Sequence, residues 1–368
     1  MTLKEWGKTM EFNVAVISGD GIGPEIITEA VKVLKKVEEL YGHKFNFHEV
    51  IGAGEAVDKV GSPLPEDTIE VCQKCIGTLV GNVGGSKWKN NPLELNPVRA
   101  VLNLRKKLDA NINLRPIYLN KELFELSPLK ERVLKNGIDI IMVRDIMGGM
   151  ICSKRLTDDG FYGREASDIE YYNESIVRNM AKMGFELAMK RRKRLASLDK
   201  ANVLASSKLW RTVVNEVSKQ YPEVELEHYL IDNAAMEVIK DPSHFDVIIA
   251  SNIFGDIMAD EISQITGVAD MLGSAEISTD GVGIYTPNQL HNPNEEIIGK
   301  NIANPIGMIS SAALMLRHSM GLESEAKAVE TAINKVIKEG YATEDIFFDG
   351  KTLVSTSEMG DLIAANLQ

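Results

Sequence analysis

Two carboxylates, Asp256 and Asp260, stand four residues apart in the stretch SNIFGDIMADE, residues 251 to 261, directly after the strand-forming run FDVIIA. On a helix starting near Phe254, positions i and i+4 share a face, so both side chains point into one small volume. Like charges held that close repel unless a cation compensates them. A hard divalent ion such as Mg²⁺ or Mn²⁺ is the usual partner of converging carboxylates. Acids in the first turn of a helix also complement its dipole with no metal at all. Asp256 alone reads that way, and this stretch by itself leaves both readings open.

Cations suited to an anionic ligand occur elsewhere. In VRAVLNLRKKLDANINLRPIYL, Val98, Val101, Leu102 and Arg105 fall at i, i+3, i+4 and i+7, which sets a guanidinium at the end of an aliphatic strip. Such a strip would favour an apolar substituent on whatever the arginine holds. Arg115 precedes a proline in a strand-like segment, and Arg144 ends the apolar strand IDIIMVR. An arginine at the end of a buried strand needs an anion, and a guanidinium holds a carboxylate through two parallel hydrogen bonds. Each arginine singly reads as structural. Three of them with two acids and a lysine point to a small polycarboxylate chelated to a metal.

The elements that must position these residues alternate in type. NVAVIS, GTLVG, IDIIMV, ANVLASS and FDVIIAS read as short apolar strands, and PEIITEAVKVLKKVEELYG, SIVRNMAKMGFELAMKRRK and ISSAALMLRHSMG as helices. That rhythm predicts an α/β fold with a largely parallel sheet. At 368 residues the chain exceeds the usual size of one core, so two domains are expected. The net charge of −12 sets nucleic acid and anionic membranes aside as partners. With no membrane-length apolar run and no signal-peptide pattern at the start, a cytoplasmic protein is expected.

Three other motifs have simpler readings. Cys72 and Cys75 form a CxxC, but zinc or redox chemistry would need partners that are not nearby, and the spacing fits two small apolar residues on one helix face. KRRKR, residues 190 to 194, reads as a solvated helix end, where cations satisfy the dipole. VAVISGDGIGPEI reads as strand, glycine turn and helix with Pro24 in the first turn. It is GxGxG, neither the dinucleotide fingerprint nor a P-loop.

The ordered set GDGIGPE, GNVGGSKW, LRKKLDANINLRP, LSPLKE, SLDKANVL, SNIFGDIMAD and GKNIANP resembles the isocitrate/isopropylmalate dehydrogenases, metal-dependent β-decarboxylating dehydrogenases of 2-hydroxy acids. The resemblance covers nearly the whole chain, and VGGSKW, LSPLKE and KANVL are most like the isopropylmalate branch. It implies that Arg105, Arg115 and Arg144 hold the substrate carboxylates beside Val98, Val101 and Leu102, and that Asp232, Asp256 and Asp260 hold Mg²⁺ or Mn²⁺. It implies NAD as cofactor, met by Ile17, His291, Glu296 and Asn304, with the acid at 296 favouring a ribose 2′-hydroxyl over a phosphate. Lys200, acting with Asp232 or water, would take the hydroxyl proton as hydride leaves C2. Both residues would enter the site from a second subunit, making a homodimer with shared active sites. The implied architecture is a discontinuous large, cofactor-binding domain, residues 1–110 and 267–368, and a small domain, 111–266, carrying the dimer contact. Helices would cover both faces of the sheet, with the active site in the cleft between domains.

Two departures stand out. The family has a tyrosine seven residues beyond the arginine matching Arg144, and this chain has Ile151 there; Tyr162, in DDGFYGR, reads as part of an arm elsewhere. The family's HGSAPD is HNPNEE, with Asn292 in place of the glycine. The intact Lys200, Asp232, Asp256 and Asp260 favour an enzyme acting on a malate substituted at C3. Ile151 favours two alternatives: oxidation of another hydroxy diacid without efficient decarboxylation, or a non-catalytic relative.

Overall fold

The computed structural model describes residues 9–291 and 295–368. The chain forms two compact units, one of Met1–Ala110 with Val268–Gln368 and the other of Asn111–Gly267.

In the first unit the strands run in the order Lys44–Glu49, Glu11–Ile17, Gly77–Val80, Gly283–Pro287 and Gly273–Ile277. All pairings are parallel except that between Gly273–Ile277 and Gly283–Pro287. The strand Glu11–Ile17 passes through GDGIGPE into the helix Gly23–Tyr41, with proline in its first turn. Glycine is required in this loop: Gly19 has φ +76°, and a Cβ there would lie 2.2 Å from the carbonyl oxygen of Asn82. Asp20 accepts hydrogen bonds from the backbone N–H groups of Gly54 (3.0 Å), Glu55 (3.2 Å) and Gly84 (2.8 Å). The loop is thus a joint that caps the helix Ala53–Val60 and anchors the chain at Gly84. The helix Ile306–His318 is buried from Ile306 through Leu316, which explains its apolar composition on every face. Cys72 and Cys75 lie in a core cluster with Ile69, Val80 and Leu104, where burial raises both thiols, that of Cys75 to about 11. They are packing residues.

In the second unit the order is Ile112–Leu119, Ile138–Asp145, Val247–Ala250, Arg194–Asp199 and Glu225–Leu230. The first pairing is antiparallel and the other three are parallel. The sheet is mostly parallel, as the alternation of strands and helices predicts, but ANVLASS, expected as a strand, is a turn leading into the helix Ala205–Ser218, and the strand there is Arg194–Asp199. Arg191 and Arg192 do not simply end their helix in solvent. Arg191 Nε donates to Asp246 (2.7 Å) and the Arg192 backbone N–H donates to the same carboxylate (2.8 Å). Asp246 is fully buried, so the basic run compensates an interior charge. The strands Arg155–Gly160 and Gly163–Asp168 form an exposed antiparallel hairpin whose tip carries Phe161 and Tyr162, each 93% exposed. Among the described residues no helix is long and apolar enough to cross a membrane.

The helix after Val247–Ala250 runs from Asn252 to Thr266 and ends at Gly267 in the left-handed conformation. It starts two residues earlier than the sequence suggests, because Tyr172 supplies the cap: the Asn252 backbone N–H donates to the buried Tyr172 hydroxyl at 2.8 Å. Gly255 lets the helix lie against the strand Ile138–Asp145. A Cβ at that position would stand 2.8 Å from Arg144 Cγ and 2.9 Å from Arg144 Cβ.

That contact yields a stability test. Alanine gains about 1 kcal/mol over glycine in a helix, whereas overpacking costs about 1–3 kcal/mol. Gly255→Ala should therefore lower the denaturant midpoint despite its better helix propensity. A raised midpoint would show that Arg144 is not pressed against this helix.

Candidate active site

The carboxyl ends of the parallel strands in the second unit bring four of the sequence-derived residues together. Arg144 sits near the end of its strand, paired in register with Asn113 on one side and Ala250 on the other. Arg115 lies two residues along from Asn113, and its Nε donates to the Asn113 amide oxygen at 3.0 Å. Asp256 and Asp260 project from the helix that follows Ala250. Arg115 Nη1 donates to Asp260 Oδ1 at 2.7 Å, and Arg115 Nη2 lies 3.9 Å from Asp256 Oδ1. Arg144 Nη1 donates to the same Asp256 oxygen. The two acids are therefore compensated by guanidinium groups, and their side chains remain 43% and 64% exposed.

Arg144 is held from behind. Its Nε donates to the Asn252 carbonyl at 3.0 Å and its Nη2 to the Asn252 amide oxygen at 2.9 Å, while the Asn252 amide nitrogen donates to the Gly148 carbonyl at 2.9 Å. Tyr172 joins the network by donating to Asp145 Oδ2 at 2.9 Å, and Asp145 also accepts from the Met147 and Gly148 N–H groups. Burial raises both the Asp145 carboxyl and the Tyr172 phenol, so the phenol stays protonated and committed to this network. Buried networks of this kind fix a side chain when every member is satisfied. Asn252 and Tyr172 escape a reading by periodicity, because each acts across elements distant in sequence. The one local signal is an asparagine at the mouth of the helix.

Lys200 and Asp232 form a second pair, with Lys200 Nζ 2.8 Å from Asp232 Oδ2. The hydrogen bond from Lys200 holds the Asp232 carboxyl below its ordinary value. Among the described residues no three His, Cys, Asp or Glu side chains gather within one chain as a metal site. Asp256 and Asp260 nonetheless suit a hard cation: they are carboxylates one turn apart, partly exposed, with acceptor capacity beyond a single arginine each.

Arg105 lies in the first unit, on the helix Arg99–Lys107, and has a different partner. Its Nε donates to Glu276 Oε2 at 2.8 Å and its Nη2 to Glu276 Oε1 at 2.5 Å, a two-point ion pair with both side chains largely buried. Sequence reasoning missed Glu276, although an acid inside the wholly buried strand GSAEI is itself a sign that a cation is near. The aliphatic strip needs correction. Val101 is turned into the core with Ala100, Leu104 and Leu108, leaving only Val98 and Leu102 half-buried beside Arg105. The core face of the helix takes its middle residues, so the strip is narrower than the spacing suggests.

The residues expected to meet the cofactor also lie in the first unit. Ile17 is buried in the core, filling the space that a Cβ on Gly52 would need, so its side chain serves packing. Asn304 donates to Asp345 Oδ2 at 2.9 Å and accepts from the Ile306 N–H at 3.0 Å. His291 forms an isolated bridge with Val83 and is exposed, as is Glu296. The neighbouring Glu295 accepts from the backbone N–H of Ser86 and from its hydroxyl (2.8 Å), tying this segment to GNVGGS. Asn292 lies outside the described residues. Ile151, in the short helix Gly149–Cys152, is partly exposed, and neither the buried Tyr172 nor the hairpin-tip Tyr162 stands in its place.

The family model described as isocitrate/isopropylmalate dehydrogenase matches residues 13–363. The chain is 48% identical over 357 residues to the 3-isopropylmalate dehydrogenase of Clostridium pasteurianum, covering 97% of this chain and 99% of that one. It is 47% identical over 354 residues to the 3-isopropylmalate dehydrogenase of Haemophilus influenzae, covering 96% and 98%. Among solved structures it is similar to isocitrate dehydrogenase from Methylococcus capsulatus, with a TM-score of 0.82 and 26% identity over 97% of this chain and 99% of that one. A beta-decarboxylating dehydrogenase from Thermococcus kodakarensis superposes with a TM-score of 0.78 at 28% identity, covering 97% and 96%. The chain belongs to the isocitrate/isopropylmalate dehydrogenase family and is an enzyme of the decarboxylating dehydrogenase type.

Proposed function

We propose that this enzyme oxidises a 3-substituted malate of the 3-isopropylmalate type with NAD and releases the β-carboxylate as CO₂. The observation that carries the reading is the cluster of Arg115, Arg144, Asp256 and Asp260, which offers two carboxylate receptors beside two hard-oxygen metal ligands. The names of the curated relatives support the same substrate class.

In this reading the acids release the arginines when a metal and substrate arrive. Arg115 and Arg144 then take the substrate carboxylates, Arg144 with its orientation already fixed by Asn252. Asp256 and Asp260, with Asp232 of a second copy of the chain, would hold Mg²⁺ or Mn²⁺, which would supply positive charge to offset negative charge on the substrate oxygens. Lys200 Nζ, tied to Asp232, accepts the C2 hydroxyl proton after passing its own to solvent. The functional unit is a homodimer in which each site draws Lys200 and Asp232 from the other chain. Asn304, His291 and Glu296 of the first unit would hold NAD, and the exposed carboxylate of Glu296 would disfavour a ribose phosphate.

A second reading has its own observation. The position of the family tyrosine is Ile151, which has no proton to give; the Tyr172 phenol is engaged with Asp145 and Asn252, and Tyr162 stands at the exposed hairpin tip. Oxidation could then outrun protonation of the enolate, or the preferred substrate could end as a ketone.

Two expected outcomes follow. With 3-isopropylmalate, NAD and Mn²⁺, Asp256→Asn should lower turnover by at least about 100-fold, since even supporting partners of a metal ligand are worth about 10–100-fold in affinity or activity. NADP in the same assay should serve less well than NAD. Undiminished activity in excess chelator, or equal use of NADP, would contradict the assignments.

The other outcome concerns Ile151. A positioned general acid is worth about 10²–10⁴-fold, so turnover of isopropylmalate should be slow and Ile151→Tyr should raise it, with NADH and CO₂ measured separately. Equal yields of both products at an ordinary rate, with no gain from the tyrosine, would show that the phenol is dispensable here.

A further inference from the structure

Lys200 is held at both ends. Its carbonyl accepts the backbone N–H groups of Val203 (3.0 Å) and Leu204 (3.0 Å) in the turn that leads into the helix Ala205–Ser218, and its Nζ lies 2.8 Å from Asp232 Oδ2. Neighbouring parallel strands deliver the pair. Asp199, the last residue of Arg194–Asp199, is in register with Leu230, and Asp232 stands in the first turn of the helix Ile231–Lys240 that follows. Asp199 has its side chain 1% exposed, and its Oδ1 accepts the Ala201 N–H at 2.9 Å, which holds the turn from beneath. A carboxylate so buried needs a cation. Arg211, on the helix after the turn, supplies it through two parallel hydrogen bonds, Nε to Oδ2 at 2.8 Å and Nη2 to Oδ1 at 2.9 Å. The preceding residue, Trp210, is buried and donates to Ser197 Oγ of the same strand at 3.1 Å, which fixes the helix where Arg211 reaches Asp199. His228 Nδ1 lies 4.0 Å from Asp199, but burial and Arg211 hold that ring below its ordinary value, so near neutral pH Arg211 is the compensating charge.

We propose that Asp199 and Arg211 are positioning residues for Lys200: their buried pair clamps the turn on either side of the lysine, so that the amine is presented at Asp232. The inference deepens, and rests on, the reading of Lys200 as the group that accepts the hydroxyl proton. A lysine carries its charge on a flexible four-carbon stem, and a partly exposed ion pair such as that with Asp232 is too weak to fix the stem by itself. Fixing the backbone at its root removes part of that freedom before substrate arrives. The placement matters, because a displacement of about 1 Å at a reacting group costs about 10²-fold in rate. Asp199 lies behind the turn, out of solvent, and acts through Lys200.

The test follows Lys200 itself. The whole protein, without metal or substrate, is treated with acetic anhydride, and the labelling rate of each lysine is read by peptide mass spectrometry. In Asp199→Asn the amide oxygen keeps the Ala201 bond while the Arg211 pair is lost. Lys200 should then label about 5-fold faster, the factor lost with one partly exposed ion pair, while Lys193 and Lys208 change by less than about 2-fold. Arg211→Lys, which keeps the charge but loses the fork, should move Lys200 the same way by a smaller factor. With 3-isopropylmalate, NAD and Mn²⁺, kcat of Asp199→Asn should fall at least about 10-fold with KM within about 3-fold. Circular dichroism checks folding, and Arg211→Lys carries the test if Asp199→Asn does not fold. Unchanged Lys200 labelling in a folded variant, or an unchanged kcat, would overturn the inference. So would an equal rise at all three lysines or loss of fold in both variants, either of which makes the pair a general support of the unit. A wild type that fails to turn over isopropylmalate would instead remove the substrate reading, and the labelling rates would still decide whether this pair holds Lys200.

Discussion

Two carboxylates one turn apart on a helix repel each other, and the second unit is arranged around that repulsion. Asp256 and Asp260 are carried by a helix pressed onto the strand of Arg144 through Gly255, which brings both acids within reach of Arg115 and Arg144. Opposite charges at hydrogen-bond distance, with Arg144 buried, Arg115 half-buried and the acids partly in water, store a cluster that can re-pair. The same four groups that neutralise one another in the unliganded chain are, in the proposed reaction, the receptors for a metal and a dicarboxylate. Asn252 and Tyr172 matter because they keep Arg144 oriented through either arrangement.

Much of the framework was legible beforehand. The alternation of apolar strands with amphipathic helices gave the mostly parallel sheet, and the i, i+4 spacing put Asp256 and Asp260 on one face. What could not be read were partnerships between distant segments. Arg105 and Glu276 are 171 residues apart, and no periodicity links them. Tyr172 caps a helix 80 residues away, which moved that helix start ahead of the expected position. The basic run at 190–194 looked like a solvated end because Asp246, its buried partner, lies more than fifty residues on, just before the strand Val247–Ala250. Val101 went to the core since helical spacing alone cannot tell a substrate-facing stripe from a packing face.

Ile151 and Glu276 bear on the same question from opposite sides. One stands where the family has a phenol, and the other pairs with an arginine expected to bind substrate. Ile151 departs from the family pattern; Glu276 is a buried partner that the fold brings to Arg105. Lys200 with Asp232, and the arginine–aspartate cluster, are paired at ion-pair distance in the fold. The chemistry proposed is thus assigned to groups whose pairing geometry is defined, and the departure at Ile151 falls where the proposed reaction would take its final proton.

The central claim is that metal and substrate jointly displace the ion pairs of Arg115 and Arg144 with Asp256 and Asp260. Calorimetric titration of Mn²⁺ into the protein, with and without saturating 3-isopropylmalate and in the absence of NAD, measures this directly. Each ligand frees the groups that the other needs, so isopropylmalate should tighten Mn²⁺ binding by at least about 10-fold, and Mn²⁺ should tighten isopropylmalate by the same factor. Independent binding, with a coupling factor near one in both directions, would contradict the account.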